Sequence, residues 1–231
     1  MIISRTPFRI SFFGGGTDYP VWYKENSGAV LATTIDKYCY ITCRYLPPFF
    51  EHKSRILYTH VETVKSNDEI EHPSVRATLK HMRVTEGVEI HHDGDLPARS
   101  GLGSSSTFTV GLLNAVYALK QSMSTKMQLA RDAIHIEQNI LEENVGSQDQ
   151  VLAAFGGFVK IDFHASSNNY TSDFSVMPVL VNQRRLAEFQ SHLQLYFTGL
   201  SRISSEIAKE QVETIKNRVP ELSSLRQMVD E

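Results

Sequence analysis

Alternation of apolar and polar side chains, which is typical of a strand with one buried face, recurs along much of the chain. It is clearest near the N-terminus, where Phe8, Ile10 and Phe12 alternate with polar neighbours and predict a strand over residues 5–13. Further strands are predicted at 29–45, 56–62, 87–92, 158–163, 174–181 and 193–198. Helices are predicted at 21–26, 74–84, 104–120, 126–142, 148–155 and 204–217. Because strands and helices mix without strict alternation, the pattern predicts an α+β fold.

Capping residues indicate where several of these helices begin. Pro20 suits the first position of the first helix. Thr125 with Gln128, and Ser147 with Gln150, have the spacing of a capping box, in which a hydroxyl accepts the amide of the third helical residue. The two pairs predict that helices begin directly after Thr125 and Ser147.

The composition is that of a globular protein with small-molecule partners. The 231 residues are 41% hydrophobic, which is enough to fill a core, and the formal net charge is −3 with an isoelectric point near 6.3. Acids and bases are spread along the chain, which argues against nucleic acid or an anionic membrane surface as a partner. No apolar run reaches membrane-spanning length, and Met1 leads directly into a strand-like segment without a secretion signal. The sequence therefore predicts a cytoplasmic protein that does not bind a membrane.

Cys39 and Cys43 predict buried thiols. They share one face of a strand-like run, and a strand would hold them roughly 13 Å apart, which is beyond disulfide reach. Free cysteine usually behaves as a small buried hydrophobe. We expect both to lie reduced in the core.

The segment from Gly101 to Ser106 joins a predicted strand to a predicted helix and has the residues of a phosphate site. Its glycines let the backbone approach a ligand, its serines add hydroxyl donors, and a helix start supplies free amides and a positive dipole end. It is not a Walker loop, because no lysine follows the second glycine, and not a dinucleotide fingerprint, because Ser106 replaces the third glycine. On these residues alone, an ordinary serine and glycine turn that caps a helix stays an alternative.

Four segments resemble the motifs of a known family. One is this loop, through Pro97, Gly101, Leu102, Gly103, Ser104, Ser105 and Ser106. The others are 7–20 around a triple glycine, 146–150 and 196–202. Together they resemble the GHMP kinases, and within them the heptose 7-phosphate kinase branch, over essentially the whole chain. The resemblance implies that the loop residues bind the phosphates of ATP.

The resemblance also implies a fold and a reaction. It implies a GHMP-kinase-like N-terminal domain, of the ribosomal protein S5 domain 2-like fold, over 1–165, and an incomplete α+β C-terminal domain over 166–231. ATP and Mg²⁺ would be the cofactors, and the anomeric hydroxyl of D-glycero-D-manno-heptose 7-phosphate the acceptor. Two alternatives stay open: a fucose- or galactose-type sugar kinase of the same family, and a non-catalytic remnant that binds nucleotide or sugar. Nothing after Arg202 resembles the third, glycine-rich motif of the family, which predicts a C-terminally truncated chain.

Glu137 is the candidate metal ligand. It lies on the inward stripe of the predicted 126–142 helix with Ala130 and Leu141, where an isolated carboxylate needs a cation or hydrogen-bond donors. A buried salt bridge is the alternative. The resemblance implies that Glu137 and a loop serine, Ser105 in preference to Ser104, hold Mg²⁺.

Asp149 and Arg9 are the candidate catalytic residues. Asp149 occupies the second position of a short predicted helix, where the dipole favours a charged carboxylate, and simple capping is the alternative. The resemblance implies that Asp149 is the catalytic base or orients the attacking hydroxyl. It places Arg9 at a position that is lysine in several other branches, and a guanidinium there has an electrostatic rather than a proton-donating role.

Substrate contacts are implied around the triple glycine. The resemblance assigns acceptor binding to Gly15, Gly16, Thr17 and Asp18. The alternative for Asp18 is an N-cap of the first helix, before Pro20, and the two uses are compatible. Ser201 and Arg202 resemble a substrate-side loop of the heptose kinase branch.

Overall fold

The computed structural model describes residues 1–97, 100–165, 173–196 and 212–231. The strands in these ranges are β1 (Ile2–Phe13), β2 (Gly28–Tyr45), β3 (Ser54–Leu57), β4 (Val61–Val64), β5 (Val88–Gly94), β6 (Phe158–Phe163) and β7 (Phe174–Pro178). The α-helices are α1 (Pro20–Asn26), α2 (Pro73–His81), α3 (Ser104–Leu119), α4 (Lys126–Ile134), α5 (Gln148–Phe155), α6 (Gln183–Ser191) and α7 (Val219–Gln227). A π-helical segment, His135–Ile140, follows α4, and 3₁₀ turns lie at Asn67–Glu69 and Ile215–Asn217.

The long strand β2 organises one mixed sheet. β1 pairs with it along one edge, while β6 pairs with its first half and β5 with its second half. β3 is parallel to β5, and the other described pairs are antiparallel. β7 extends the sheet beyond β6, and the predicted domain boundary between 165 and 166 stays a prediction.

The core lies between this sheet and the helices packed on it. Ile41 and Ile90 from the sheet and Leu112 and Leu113 from α3 are fully buried in it. Cys39 and Cys43 belong to the same cluster as free thiols, which confirms their predicted burial. Burial raises the pKa of each thiol to about 12, so both stay protonated and unreactive at neutral pH.

Three strand predictions differ from the structure. The segment predicted as one strand at 56–62 is two strands, β3 and β4, joined by a tight turn in which the Tyr58 amide donates to the His60 carbonyl. β7 ends at Pro178 rather than at 181, although the Val179 amide still donates to the Phe158 carbonyl of β6 at 2.9 Å. Residues 193–196 form no strand, and 197 and 198 lie outside the described residues.

One of the two predicted capping boxes is wrong. Thr125 accepts the Gln128 amide at 3.1 Å, as predicted, although the Gln128 side chain turns to Asp132. Ser147 makes no capping hydrogen bond, because its backbone, with φ −100° and ψ −4°, lies outside the extended region typical of an N-cap. Its hydroxyl accepts from the Gln138 side chain at 3.1 Å.

Two predicted helices also differ from the structure. The predicted 126–142 helix ends as an α-helix at Ile134 and continues as the π-helical segment, a feature often found at functional sites. Residues 204–211 of the predicted 204–217 helix lie outside the described residues, 212–214 are helical as predicted, and 215–217 form a 3₁₀ turn. None of the described helices is long and apolar enough to cross a bilayer.

The C-terminal helix α7 packs against the glycine turn that follows β1. Leu222 is 7% exposed and shares a buried cluster with Trp22. A Cβ on Gly16 would lie 3.1 Å from Leu222 Cδ2, and one on Gly14 would lie 2.9 Å from Val229 Cγ2. The turn and the end of the chain therefore support each other.

Leu222→Ala should lower the free energy of unfolding by about 2–5 kcal/mol, because the substitution leaves a cavity beneath the turn. Urea denaturation followed by circular dichroism measures this change. Leu225→Ala on the same helix is the matched control, since Leu225 is 36% exposed and should cost less than about 1 kcal/mol. Equal losses in the two variants would contradict this packing.

Candidate active site

The loop before α3 has the geometry of an anion site. Gly101 and Gly103 have φ of +76° and +77°, in the left-handed region that favours glycine. Gly103 is the N-cap of α3, and the first turn of the helix contains no acidic residue. The amides of the first helical residues therefore point out of the helix beside a positive dipole end, which suits a phosphate group.

Arg9 and Asp149 form a bidentate ion pair directly beneath this loop. Arg9 Nε donates to Asp149 Oδ1 at 2.6 Å, and Nη2 donates to Oδ2 at 2.8 Å. Arg9 also holds the loop, because Nη1 donates to the Gly101 carbonyl at 3.0 Å and its amide donates to the Leu102 carbonyl at 3.3 Å. A Cβ on Gly103 would lie 3.2 Å from Asp149 Oδ2. The Arg9–Asp149 ion pair and the glycine-rich loop before α3 are thus one structural unit.

Local structure delivers both side chains to this place. The β1–β2 register shifts between Pro7 and Arg9, an irregularity of the kind that re-aims side chains near active sites. Asp149 lies in the first turn of α5, where the helix dipole favours its negative charge. Burial alone would lower the pKa of Arg9, but the charge of Asp149 and their hydrogen bonds raise it. Asp149 is therefore more than a helix cap.

Glu137 is a fully buried carboxylate in the π-helical segment. Its Oε2 accepts from the Ser106 hydroxyl at 2.7 Å and from the Gln150 side chain at 2.5 Å, whereas Oε1 has no hydrogen-bond partner. Burial raises its pKa to about 7, and the hydrogen bonds that the Ser106 hydroxyl and the Gln150 amide donate to the carboxylate limit that rise. Glu137 forms no salt bridge with any of the described residues, so the buried salt bridge predicted as the alternative is not found among them.

The structure brings Ser106, rather than Ser105, to this carboxylate. Ser105 is exposed in the first turn of α3, and its carbonyl accepts from the Thr109 hydroxyl at 3.2 Å. Ser104 is half-buried. The metal-binding role predicted for Ser105 stays a prediction.

Asp18 is 1% exposed and is held by backbone amides. Its Oδ1 accepts from Gly16 at 3.0 Å and its Oδ2 from Gln148 at 3.2 Å. Burial, and then the charge of Asp149, raises its pKa to about 6. Asp18 is not the N-cap of α1, which was its alternative role. The N-cap is Tyr19, which makes no side-chain capping bond.

The rest of the predicted acceptor loop divides into buried and accessible parts. Thr17 is fully buried, and its hydroxyl donates to the Gly14 carbonyl at 2.8 Å and accepts from the Ala29 amide at 3.1 Å. Gly15 and Gly16 are partly exposed. The accessible surface of the loop is therefore backbone.

The remaining predicted residues are less constrained. Pro97 is exposed, and Leu102 packs on the main core. Ser201 and Arg202, with residues 197–200 of the same motif, lie outside the described residues.

Two residues of the 146–150 motif contribute to the site in ways that the sequence did not predict. Gly146 has no room for a side chain, because a Cβ there would lie 1.9 Å from Asp18 Oδ2. Gln150, predicted as part of a capping box, hydrogen-bonds Glu137 instead. A glycine two residues before a predicted helix was a detectable signal for Gly146, whereas no local pattern distinguishes Gln150.

Comparison with known proteins identifies the unit that carries this site. Residues 71–157 match the family model described as the GHMP kinases N terminal domain, and this range contains the loop, Glu137 and Asp149. The chain contains a GHMP kinase N-terminal domain. The family resemblance predicted from the four segments is confirmed.

Proteins similar to this chain include heptose phosphate kinases. The chain is 26% identical over 219 residues to the D-glycero-alpha-D-manno-heptose 7-phosphate kinase of Campylobacter jejuni, covering 91% of this chain and 63% of that relative. It thus spans less than two thirds of that relative's length. A D-glycero-D-manno-heptose 1-phosphate kinase of Bacteroides thetaiotaomicron superimposes with a TM-score of 0.76 at 25% identity, covering 96% of this chain and 73% of that one.

The fold itself is shared with a kinase of lower sequence identity. A phosphomevalonate kinase of Streptococcus pneumoniae, solved with phosphomevalonate and AMPPNP, superimposes with a TM-score of 0.62 at 14% identity, covering 99% of this chain and 79% of that one. This likeness concerns the fold alone. With the closer structure it confirms the predicted mixed α and β fold of the family.

Proposed function

We propose that this protein is an ATP-dependent sugar kinase that phosphorylates the anomeric hydroxyl of D-glycero-D-manno-heptose 7-phosphate, giving ADP and the 1,7-bisphosphate. The observation that carries the proposal is the Arg9–Asp149 pair bonded to an anion-binding loop at a helix start. The names of two relatives support a heptose phosphate as acceptor, although one name places the phosphate at position 7 and the other at position 1.

In the proposed reaction, the chain supplies positioning and charge rather than covalent chemistry. The loop from Gly101 to Ser106 binds the terminal phosphates of ATP through its amides and hydroxyls. Asp149 accepts the proton of the acceptor hydroxyl or orients that hydroxyl toward the phosphate. Arg9 keeps Asp149 in place and stabilises negative charge as the phosphoryl group transfers.

The residues around Glu137 fit Mg²⁺. One buried oxygen of this carboxylate, Oε1, has no hydrogen-bond partner, so it is available to a cation. Mg²⁺ keeps waters and phosphate oxygens among its ligands, so Glu137 and one loop serine, Ser105 or Ser104, are sufficient protein ligands. When bound, the ion neutralises charge on the terminal phosphates of ATP.

Affinity for the magnesium complex of a nucleotide should fall as the pH falls below about 7. Glu137 binds a proton below its raised pKa of about 7, and a metal needs the carboxylate, so the proton competes with the ion. Isothermal titration calorimetry with MgADP between pH 5.5 and 8 measures the trend. The nucleotide also titrates, so Glu137→Gln in the same buffers is the control, and an identical pH dependence in both proteins would contradict this role.

The proposed activity is tested by incubating the protein with MgATP and a panel of heptose 7-phosphate, fucose and galactose. We expect ADP release that depends on heptose 7-phosphate. Turnover of galactose or fucose alone would assign the protein to another sugar-kinase branch. ATP binding without turnover of any acceptor would identify a non-catalytic nucleotide-binding protein.

A further inference from the structure

Asp18 links two segments that are far apart in sequence. Its carboxylate accepts one amide from Gly16, in the glycine turn after β1, and one from Gln148, at the start of α5. A third hydrogen bond joins the same two segments, because the Ser147 amide donates to the Asp18 carbonyl at 2.9 Å. The turn and the N-terminus of α5 are therefore fastened together directly beside Asp149.

The space around this carboxylate is closed. Asp18 is 1% exposed, and a Cβ on Gly146 would lie 1.9 Å from its Oδ2. Glycine at 146 thus lets the chain before α5 pass against the carboxylate. Each oxygen of Asp18 already has an amide donor, and neither faces open solvent.

We infer that Asp18 is a positioning residue that fixes α5, and with it Asp149, against the acceptor loop, rather than a group that hydrogen-bonds the sugar. The inference rests on the proposed function for the identity of Asp149 as the reacting base. This positioning role differs from the acceptor binding that the sequence motif implies for Asp18. Because Asp149 follows Gln148 directly, loosening the Gln148 amide moves the carboxylate that meets the acceptor hydroxyl.

Asp18→Asn separates positioning from sugar binding in steady-state kinetics. The asparagine side chain has one acceptor oxygen, so it can keep one of the two amide bonds and loses the other. We expect kcat to fall about 10- to 100-fold, since small misplacements of a reacting group have effects of that size, while the acceptor KM changes less than about threefold. A rise of more than about tenfold in acceptor KM with kcat nearly unchanged would show a direct sugar contact and overturn the inference.

Glu62→Gln is the matched control. Glu62 is 8% exposed and also accepts two backbone amides, those of Glu71 and His72, just before α2. No hydrogen bond or salt bridge among the described residues joins Glu62 to Arg9 or Asp149. We expect it to lose stability while kcat stays within about twofold of the wild type, and an equal fall in kcat would make the Asp18 effect a general loss of stability.

Hydrogen exchange tests the link without any turnover. In the wild type we expect the Gly16 and Gln148 amides to be protected to a similar degree, because they share one acceptor residue. In Asp18→Asn, at least one of them should exchange about tenfold faster or more, while amides in the middle of α3 are unchanged. Unprotected exchange of Gln148 in the wild type would overturn the inference even if Asp18→Asn fails to fold. A wild-type protein without turnover but with both amides protected would refute the proposed function and leave the link intact.

Discussion

Asp149→Asn should lower kcat for phosphoryl transfer by about 10²- to 10⁴-fold, the range expected when a positioned proton acceptor is lost. Asparagine keeps the size of the side chain but cannot take a proton from the acceptor hydroxyl. It also weakens the bidentate pair with Arg9, whose Nε and Nη2 lie 2.6 and 2.8 Å from the two oxygens. Initial rates of ADP formation at saturating heptose 7-phosphate measure the loss.

Binding of ATP separates catalysis from folding in this variant. Nucleotide affinity should change less than about tenfold, because the amides of the loop and the first turn of α3 stay in place. Asp162→Asn is the matched control, since Asp162 has similar side-chain exposure, 22% against 23%, and also lies beside a cation, Lys160. Full turnover in Asp149→Asn would remove Asp149 from the proposed mechanism.

Glu137→Gln should weaken Mg²⁺-dependent nucleotide binding by about 100-fold or more while making the free protein more stable above pH 7. The first effect follows from the loss of a charged metal ligand, since changing even an outer partner of a metal site costs 10- to 100-fold. The second follows from the pKa of Glu137, which is raised from 4.5 to about 7 by burial. The unfolded glutamate ionises first as the pH rises, so stability falls between about pH 4.5 and pH 7 and the penalty persists above that range.

Denaturant unfolding at pH 5 and pH 8, with calorimetric titration of MgADP, measures both effects. Glutamine is neutral at both values, so the stability lost by the wild type between them should be largely absent in the variant. Glu142→Gln, an exposed position five residues further along, is the control and should change neither quantity. Unchanged MgADP affinity in Glu137→Gln would contradict the metal role of this carboxylate.

The sequence was sufficient for much of the fold because its patterns are local. The alternation around Phe8 and the apolar positions of α3 depend on nearest neighbours, so β1 and α3 were predicted within a few residues. The turn between β3 and β4 was missed because it has neither glycine nor proline. The π-helical segment was missed because a helical stripe does not reveal one extra residue in a turn.

The site was predicted in its parts but not in its contacts. Arg9, Asp149 and the loop were all identified, yet their mutual bonds join residues 92 and 140 positions apart. Asp18 and Thr17 were assigned to the acceptor by the family resemblance, which does not specify the buried backbone groups that both side chains hydrogen-bond here. Which serine meets Glu137 depends on helix rotation and crossing, and spacing along the sequence does not determine either.

Phosphorus NMR of the protein with MgATP and D-glycero-D-manno-heptose 7-phosphate is the most direct test of the proposed kinase site. We expect a new phosphate ester resonance coupled to the anomeric proton, appearing together with ADP and in equal amount. The same mixture with Asp149→Asn should show neither within the time in which the wild type converts the acceptor. ATP that binds the wild-type protein yet leaves the acceptor unmodified would contradict phosphoryl transfer at Arg9 and Asp149.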